Sequence, residues 1–115
     1  MSNDTIFGKI LRGDIPCDKV YEDDDVLAFR DVHPAAPTHV LIIPKKHIPT
    51  VADATAEDQA LMGKILLTAG QIARDLGVSD DGYRLVINCN AQGGQTVYHL
   101  HLHLLAGRQL AWPPG

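Results

Sequence analysis

Between His99 and Leu105 the chain reads His-Leu-His-Leu-His-Leu-Leu. Successive side chains of a β-strand point to opposite faces, so a strand here puts His99, His101 and His103 on one side and Leu100, Leu102 and Leu104 on the other. A helix would scatter the imidazoles over more than half its circumference, and Val97-Tyr98 leading in favours the strand as well. The expectation is a strand from Val97 to Leu105 that is anchored by its leucines and displays its histidines. Such a row can be a tolerated polar face, a metal site or a nucleophilic centre. A metal shared by all three rings is disfavoured: the outer two residues start about 13–14 Å apart on a strand rising about 3.3–3.4 Å per residue, whereas zinc takes each nitrogen at about 2.0–2.1 Å. Nucleophilic catalysis needs no convergence, because the middle imidazole attacks while its neighbours hold its tautomer or move protons. The loop just ahead, Gly93-Gly94-Gln95-Thr96, offers an anion cradle of close-approaching backbone N–H groups, the Gln95 amide and the Thr96 hydroxyl.

The remaining sequence supplies a scaffold of α+β class. Asp4 is placed as N-cap of a short helix with Ile6, Phe7, Ile10 and Leu11 on one face, stopped at Gly13. The acidic run Glu22-Asp23-Asp24-Asp25 between Val20-Tyr21 and Val26-Leu27-Ala28-Phe29 reads as a hairpin with a solvated turn. His39-Val40-Leu41-Ile42-Ile43 is a buried strand ending at Pro44. The long helix starts at Thr55, capped with Asp58, carries Leu61, Ile65, Ala69, Ile72 and Leu76 on one face, and ends at Gly77. Strands from Tyr83 to Asn88 and from Val97 to Leu105 flank the turn-rich loop, and hairpins with one long helix predict an antiparallel sheet.

With 115 residues the chain is expected to form one domain around one core. A composition of 45% apolar and 21% charged residues with net charge −4 excludes a disordered or fibrous chain. It also offers no basic face for nucleic acid or an anionic membrane. No apolar run approaches the roughly 20 residues of a membrane span, no signal-peptide pattern opens the chain, and Cys17 and Cys89 lack C-x-x-C spacing. A cytoplasmic location with reduced thiols is expected. The 6 histidines, against 2 cysteines, are the compositional oddity. Trp112, in a short proline-rich tail, is placed either on a second subunit or folded back on its own core.

The pattern His-φ-His-φ-His-φ-φ, with φ apolar, resembles the signature of the histidine triad nucleotide-binding proteins. Asp4-Thr5-Ile6-Phe7-Gly8-Lys9-Ile10, Ala36-Pro37-Thr38-His39, Ile43-Pro44-Lys45-Lys46-His47, Gly82-Tyr83-Arg84, Gly93-Gly94-Gln95-Thr96-Val97-Tyr98 and the ending Trp112-Pro113-Pro114-Gly115 resemble that family's Hint branch. The resemblance implies a five-stranded antiparallel sheet continued across a homodimer, and hydrolysis of purine nucleoside 5′-phosphoramidates without a cofactor. Aminoacyl adenylates are alternative substrates, and a non-catalytic nucleotide-binding module is the alternative function. By position it makes His101 the nucleophile, His103 the phosphate contact that handles the leaving amine's proton, and His99 and His39 its support. Gly94, Gln95, Thr96 and Asn88 would meet the phosphate, Asp31 the ribose hydroxyls, and Ile6, Phe7, Ile10, Ile15, Phe29, Val32 and Leu41 the base. Thr96 stands where the family commonly has serine, and Arg30 where several members have histidine. Lys45 and Lys46 read as solvated lysines, His33 and His47 have no assigned role, and the tail around Trp112 resembles a segment reaching the partner's site.

Overall fold

In the computed structural model, which describes residues 3–115, a five-stranded antiparallel sheet carries one long and one short helix. The elements are α1 (Ile6–Leu11), β1 (Lys19–Glu22), β2 (Val26–Arg30), β3 (Thr38–Pro44), α2 (Gln59–Asp75), β4 (Tyr83–Val86) and β5 (Leu102–Ala106). The strands lie in the order β1-β2-β3-β5-β4, which puts the apolar run of β3 at the centre, buried from His39 to Pro44. The acidic turn of the first hairpin is organised by Asp23, whose Oδ1 accepts the N–H groups of Asp25 and Val26 at 2.8 and 2.9 Å. Lys64 of α2 then pairs with Asp23 and Asp25 at 3.1 and 2.8 Å, tying that turn to the helix rather than leaving it in solvent.

The two-residue period of the strands sorts the core into two layers. Val26, Ala28, Val40, Ile42, Leu102 and Leu104 face α2, where they meet Ile65, Ala69, Ile72 and Ala73. On the opposite face Leu27, Phe29, Leu41 and Ile43 pack on Phe7 of α1. Register fixes what lies beside them: Phe29 is opposite Leu41, and Leu41 is opposite His103. The leucines of β5 thus anchor one layer while His103 projects into the other, beside the smaller helix.

Several boundaries differ from the sequence expectations, each for a local reason. The cap of α1 is Thr5, not Asp4: its hydroxyl accepts the Gly8 N–H at 3.0 Å. Thr55 and Asp58 do form a capping box, but around a 3₁₀ turn, Ala56–Asp58, so that the α-helix begins at Gln59. The last strand is short, because residues 97–101 leave the ladder. There Leu100 N–H donates to Ile48 O at 2.8 Å, and the His99 ring bonds Pro44 O at 2.7 Å, docking the segment across the end of β3. β4 likewise ends at Val86, leaving Asn88 in the following loop. Trp112 does not fold back on the core; it is 81% exposed, with the Arg84 guanidinium 6.0 Å over its ring. Lys45 and Lys46 are not free in solvent but pair with Glu22 and Asp58 at 2.7 and 2.6 Å.

The layered core predicts a sharp contrast. Leu104→Ala, at a fully buried position of β5, lowers the unfolding free energy by about 2–5 kcal/mol, whereas Leu67→Ala, 77% exposed on α2, changes it by about 0.5 kcal/mol or less. Urea titration of both variants checks this.

Candidate active site

The histidines are an ordered cluster, but they are not displayed. His99 is completely buried, His101 is 6% exposed, and His39 is 7% exposed. Only His103 is half-buried. His101 lies edge-on to Phe7 with ring centroids 5.0 Å apart, and its ring is 4.9 Å from that of His103. The row therefore continues past the end of the regular strand, held there by side-chain bonds in place of a ladder.

Those bonds assign a proton to every ring. The backbone N–H of Ala35 donates to His39 Nδ1 at 3.0 Å, so the proton of His39 sits on Nε2. From there it is donated to His103 Nδ1 at 2.9 Å. That leaves His103 with its own proton on Nε2, a buried atom with no hydrogen-bond partner among the described residues. His101 is the reverse case: its Nδ1 lies 2.8 Å from the carbonyl oxygen of His99, which only accepts, so Nδ1 carries the proton and Nε2 keeps a free lone pair. His99 donates from Nε2 to Pro44 O at 2.7 Å and receives the Asn3 side-chain amide on Nδ1 at 2.7 Å.

Burial is the leading cause that lowers the proton affinity of all four rings, since a charged imidazole loses hydration in the interior. The effect is largest at His103, depressed to about 4, where His101 and His39 add to the desolvation and only Asp31 opposes it. The cluster is thus neutral at physiological pH. It pairs one bare nitrogen, His101 Nε2, with one unspent donor, His103 Nε2–H.

A cavity of about 320 Å³ opens beside this pair, at the lower end of the range of small-molecule sites, about 300–1,000 Å³. Ile6, Phe7 and Ile10 of α1, with Ile15, form one wall; Phe29, Leu41 and Val32 form another. Asp31, Thr96, His101 and His103 supply its polar lining. Asp31 is aimed by a turn in which its Oδ1 accepts the His33 N–H at 2.9 Å and its own N–H donates to His39 O at 3.0 Å. Arg30, His33 and Cys17 also reach the rim.

The glycine loop lies differently from the expected cradle. Two of its backbone donors are spent internally: Gly94 N–H goes to Ala91 O and Gln95 N–H to Asn90 O, at 3.0 and 3.1 Å. The Gln95 amide group donates to Pro49 O and Val97 O at 2.8 and 3.0 Å, while its oxygen accepts the Asn90 N–H at 2.9 Å. Gln95 is a brace, buried at 6% exposure. Gly93 is required for close approach, since a Cβ there would fall 2.5 Å from Cys89 O. Neither Gly94, Gln95 nor Asn88 lines the cavity; Thr96 does, with an exposed side chain.

Asp31, His39 and His103 bring three potential metal donors within 4.8 Å of one another. Their chemistry opposes a cation. With the Ala35 N–H on Nδ1, His39 would have to become an imidazolate to ligate through Nε2. Two further contacts carry no sequence signal at all. Asn3 reaches His99 across 96 positions, and His47 stacks on the same ring at 5.3 Å with an interplanar angle of 19°.

Residues 12–110 match the HIT domain family model. The chain is 64% identical over 115 residues to an uncharacterised HIT-like protein of Synechococcus elongatus, with both chains covered completely. It is 54% identical over 110 residues to the purine nucleoside phosphoramidase of Escherichia coli K12, which covers 96% of this chain and 92% of that one. A crystal structure of a HIT family hydrolase from Legionella pneumophila superposes with a TM-score of 0.95 at 55% identity, covering 97% of this chain and 100% of the other. The imidazole cluster, the sheet that carries it and these relationships together establish that the chain belongs to the HIT domain family.

Proposed function

We propose that this chain hydrolyses the P–N bond of purine nucleoside 5′-phosphoramidates through a nucleotidyl group carried on His101. The observation that carries this reading is the pairing of a bare imidazole nitrogen with an unspent imidazole donor at one cavity: His101 Nδ1–H is held by His99 O at 2.8 Å, and His103 Nε2 is buried without a partner among the described residues. The name of the 54% identical E. coli relative supports the substrate class.

The chemistry follows from those two atoms. His101 Nε2 attacks the α-phosphorus and the P–N bond breaks. The leaving nitrogen takes a proton that enters from water at the open mouth, without which the amine would depart as an unstable anion, while His103 Nε2–H donates a hydrogen bond to the phosphoryl oxygens as charge builds there. The imidazolium formed on His101 keeps its Nδ1–H on His99 O. Water then attacks phosphorus, the P–N bond to His101 breaks, a nucleoside monophosphate leaves, and one proton returns to solvent.

The cavity suits a purine nucleotide in three parts. The apolar walls from α1 and β2 take the base, with Ile6, Phe7, Ile10, Ile15, Phe29, Val32 and Leu41 against its faces. The Asp31 carboxylate accepts the ribose hydroxyls. The phosphate lies between His101, His103 and the Thr96 hydroxyl, while Gly94, Gln95 and Asn88, which do not line the cavity, act by supporting the loop that carries Thr96. Aminoacyl adenylates fit the same arrangement. We further propose a homodimer: β4 is an outer strand of the sheet, and Trp112 next to it is left in solvent by its own chain.

Three outcomes are expected. Single-turnover mixing with adenosine 5′-phosphoramidate followed by intact-mass measurement detects a nucleotidyl adduct that His101→Ala abolishes; cleavage undiminished in that variant contradicts the assignment. Because burial depresses the His101 pKa, its neutral form persists as pH falls through the ordinary 6.5. The profile of kcat/KM therefore stays flat from pH 8 to 6.5 and declines only below, and a midpoint at or above 6.5 contradicts the neutral cluster. Light scattering at micromolar concentration gives twice the chain mass, and a monomer sinks the proposed assembly.

A further inference from the structure

The ring of His99 is fixed at both ends, and one of those ends is held by the first described residue of the chain. Asn3 donates its side-chain amide to His99 Nδ1 at 2.7 Å. The orientation of that amide is settled by its other atom, because Oδ1 accepts both the backbone N–H and the hydroxyl of Thr5, at 3.1 and 2.6 Å. The oxygen end is thereby assigned, so the NH₂ end faces the imidazole. Arg12 adds a bond to the Asn3 carbonyl. Gly8 points the same way independently: it is buried in α1, and a Cβ at that position would lie 2.5 Å from Asn3 Cγ and 2.7 Å from Oδ1. The missing side chain makes the room through which Asn3 reaches His99.

We propose that Asn3 is a positioning residue for the nucleophile, acting through His99. This rests on the reading of His101 as the attacking group. The connection is short: the Asn3 amide holds His99 Nδ1 as an acceptor, which keeps the ring proton on Nε2 for Pro44 O, and the ring pinned in this way fixes the backbone whose carbonyl holds His101 Nδ1–H at 2.8 Å. Loss of the amide leaves a buried imidazole nitrogen unpaired, and the ring is then free to exchange tautomers or rotate. Asn3 touches no reacting atom, so its contribution falls on the rate of the chemical step and not on affinity.

The test uses the full chain, adenosine 5′-phosphoramidate as substrate, and side-chain nitrogen NMR of His99 as a readout that needs no turnover. In Asn3→Ala the Nδ1 signal of His99 moves away from that of a hydrogen-bonded acceptor, and kcat falls about three- to tenfold with KM changed by less than about twofold. Asn3→Asp keeps the shape and the Thr5 contacts but lacks the donor. It protonates His99 Nδ1 and does not restore the rate. Gly8→Ala, which favours the helix, expels Asn3 and reproduces both effects, with no further loss when combined with Asn3→Ala. Unchanged His99 signals in Asn3→Ala, or an unchanged kcat, overturn the proposal; a drop in melting temperature alone does so too. A wild-type protein that forms no adduct on His101 defeats the hydrolase reading, while the His99 signals still decide whether Asn3 holds the ring.

Discussion

The hydrogen bond from His101 Nδ1 to the carbonyl of His99 sets the polarity of the whole site. An imidazole has two similar nitrogens, and a nucleophile must commit the lone pair of one of them to the ligand. A backbone carbonyl, which only accepts, makes that commitment permanently. The same logic runs in the opposite sense through Ala35, His39 and His103, where a backbone N–H, which only donates, forces each successive proton outward until it reaches the His103 Nε2 atom beside the cavity. One backbone acceptor and one backbone donor thus turn two chemically identical side chains into a nucleophile and a hydrogen-bond donor.

Burial completes the arrangement. Each ring resists protonation because its charge would be desolvated, and neighbouring imidazoles add mutual repulsion at His103. A cluster kept neutral this way can stand close together, with His101 and His103 centroids 4.9 Å apart, and still receive an anion. The sheet makes such burial possible in a chain of 115 residues. The leucines of β5 complete the layer under α2, while the opposite layer is shared between Phe7, Phe29, Leu41 and the imidazoles. Core and pocket wall are therefore the same residues, so the small helix α1 serves both folding and the cavity.

Alternating polarity, caps and glycines made much of this legible in the sequence. The hairpin, the central strand, the Thr55 box and the identity of the clustered histidines follow from local patterns, and the family resemblance makes the apolar stripe of α1 a cavity wall. What was not legible has one physical origin: the decisive partners are backbone groups or residues remote in sequence. No pattern announces that Ala35 N–H caps His39, that Pro44 O and Ile48 O draw residues 97–101 out of the ladder, or that Asn3 meets His99. Gln95 misleads for a related reason. A glutamine beside glycines reads as a donor for a ligand, but both of its hydrogens are consumed by Pro49 and Val97, because the loop must satisfy its own backbone first.

The central claim is the distribution of protons over the four rings, and long-range proton–nitrogen correlation of the histidine side chains near pH 7 tests it most directly. The expected result is that His39, His99 and His103 are neutral with the proton on Nε2, and that among these four rings His101 alone carries it on Nδ1. A His101 protonated on Nε2, or on both nitrogens, would contradict it.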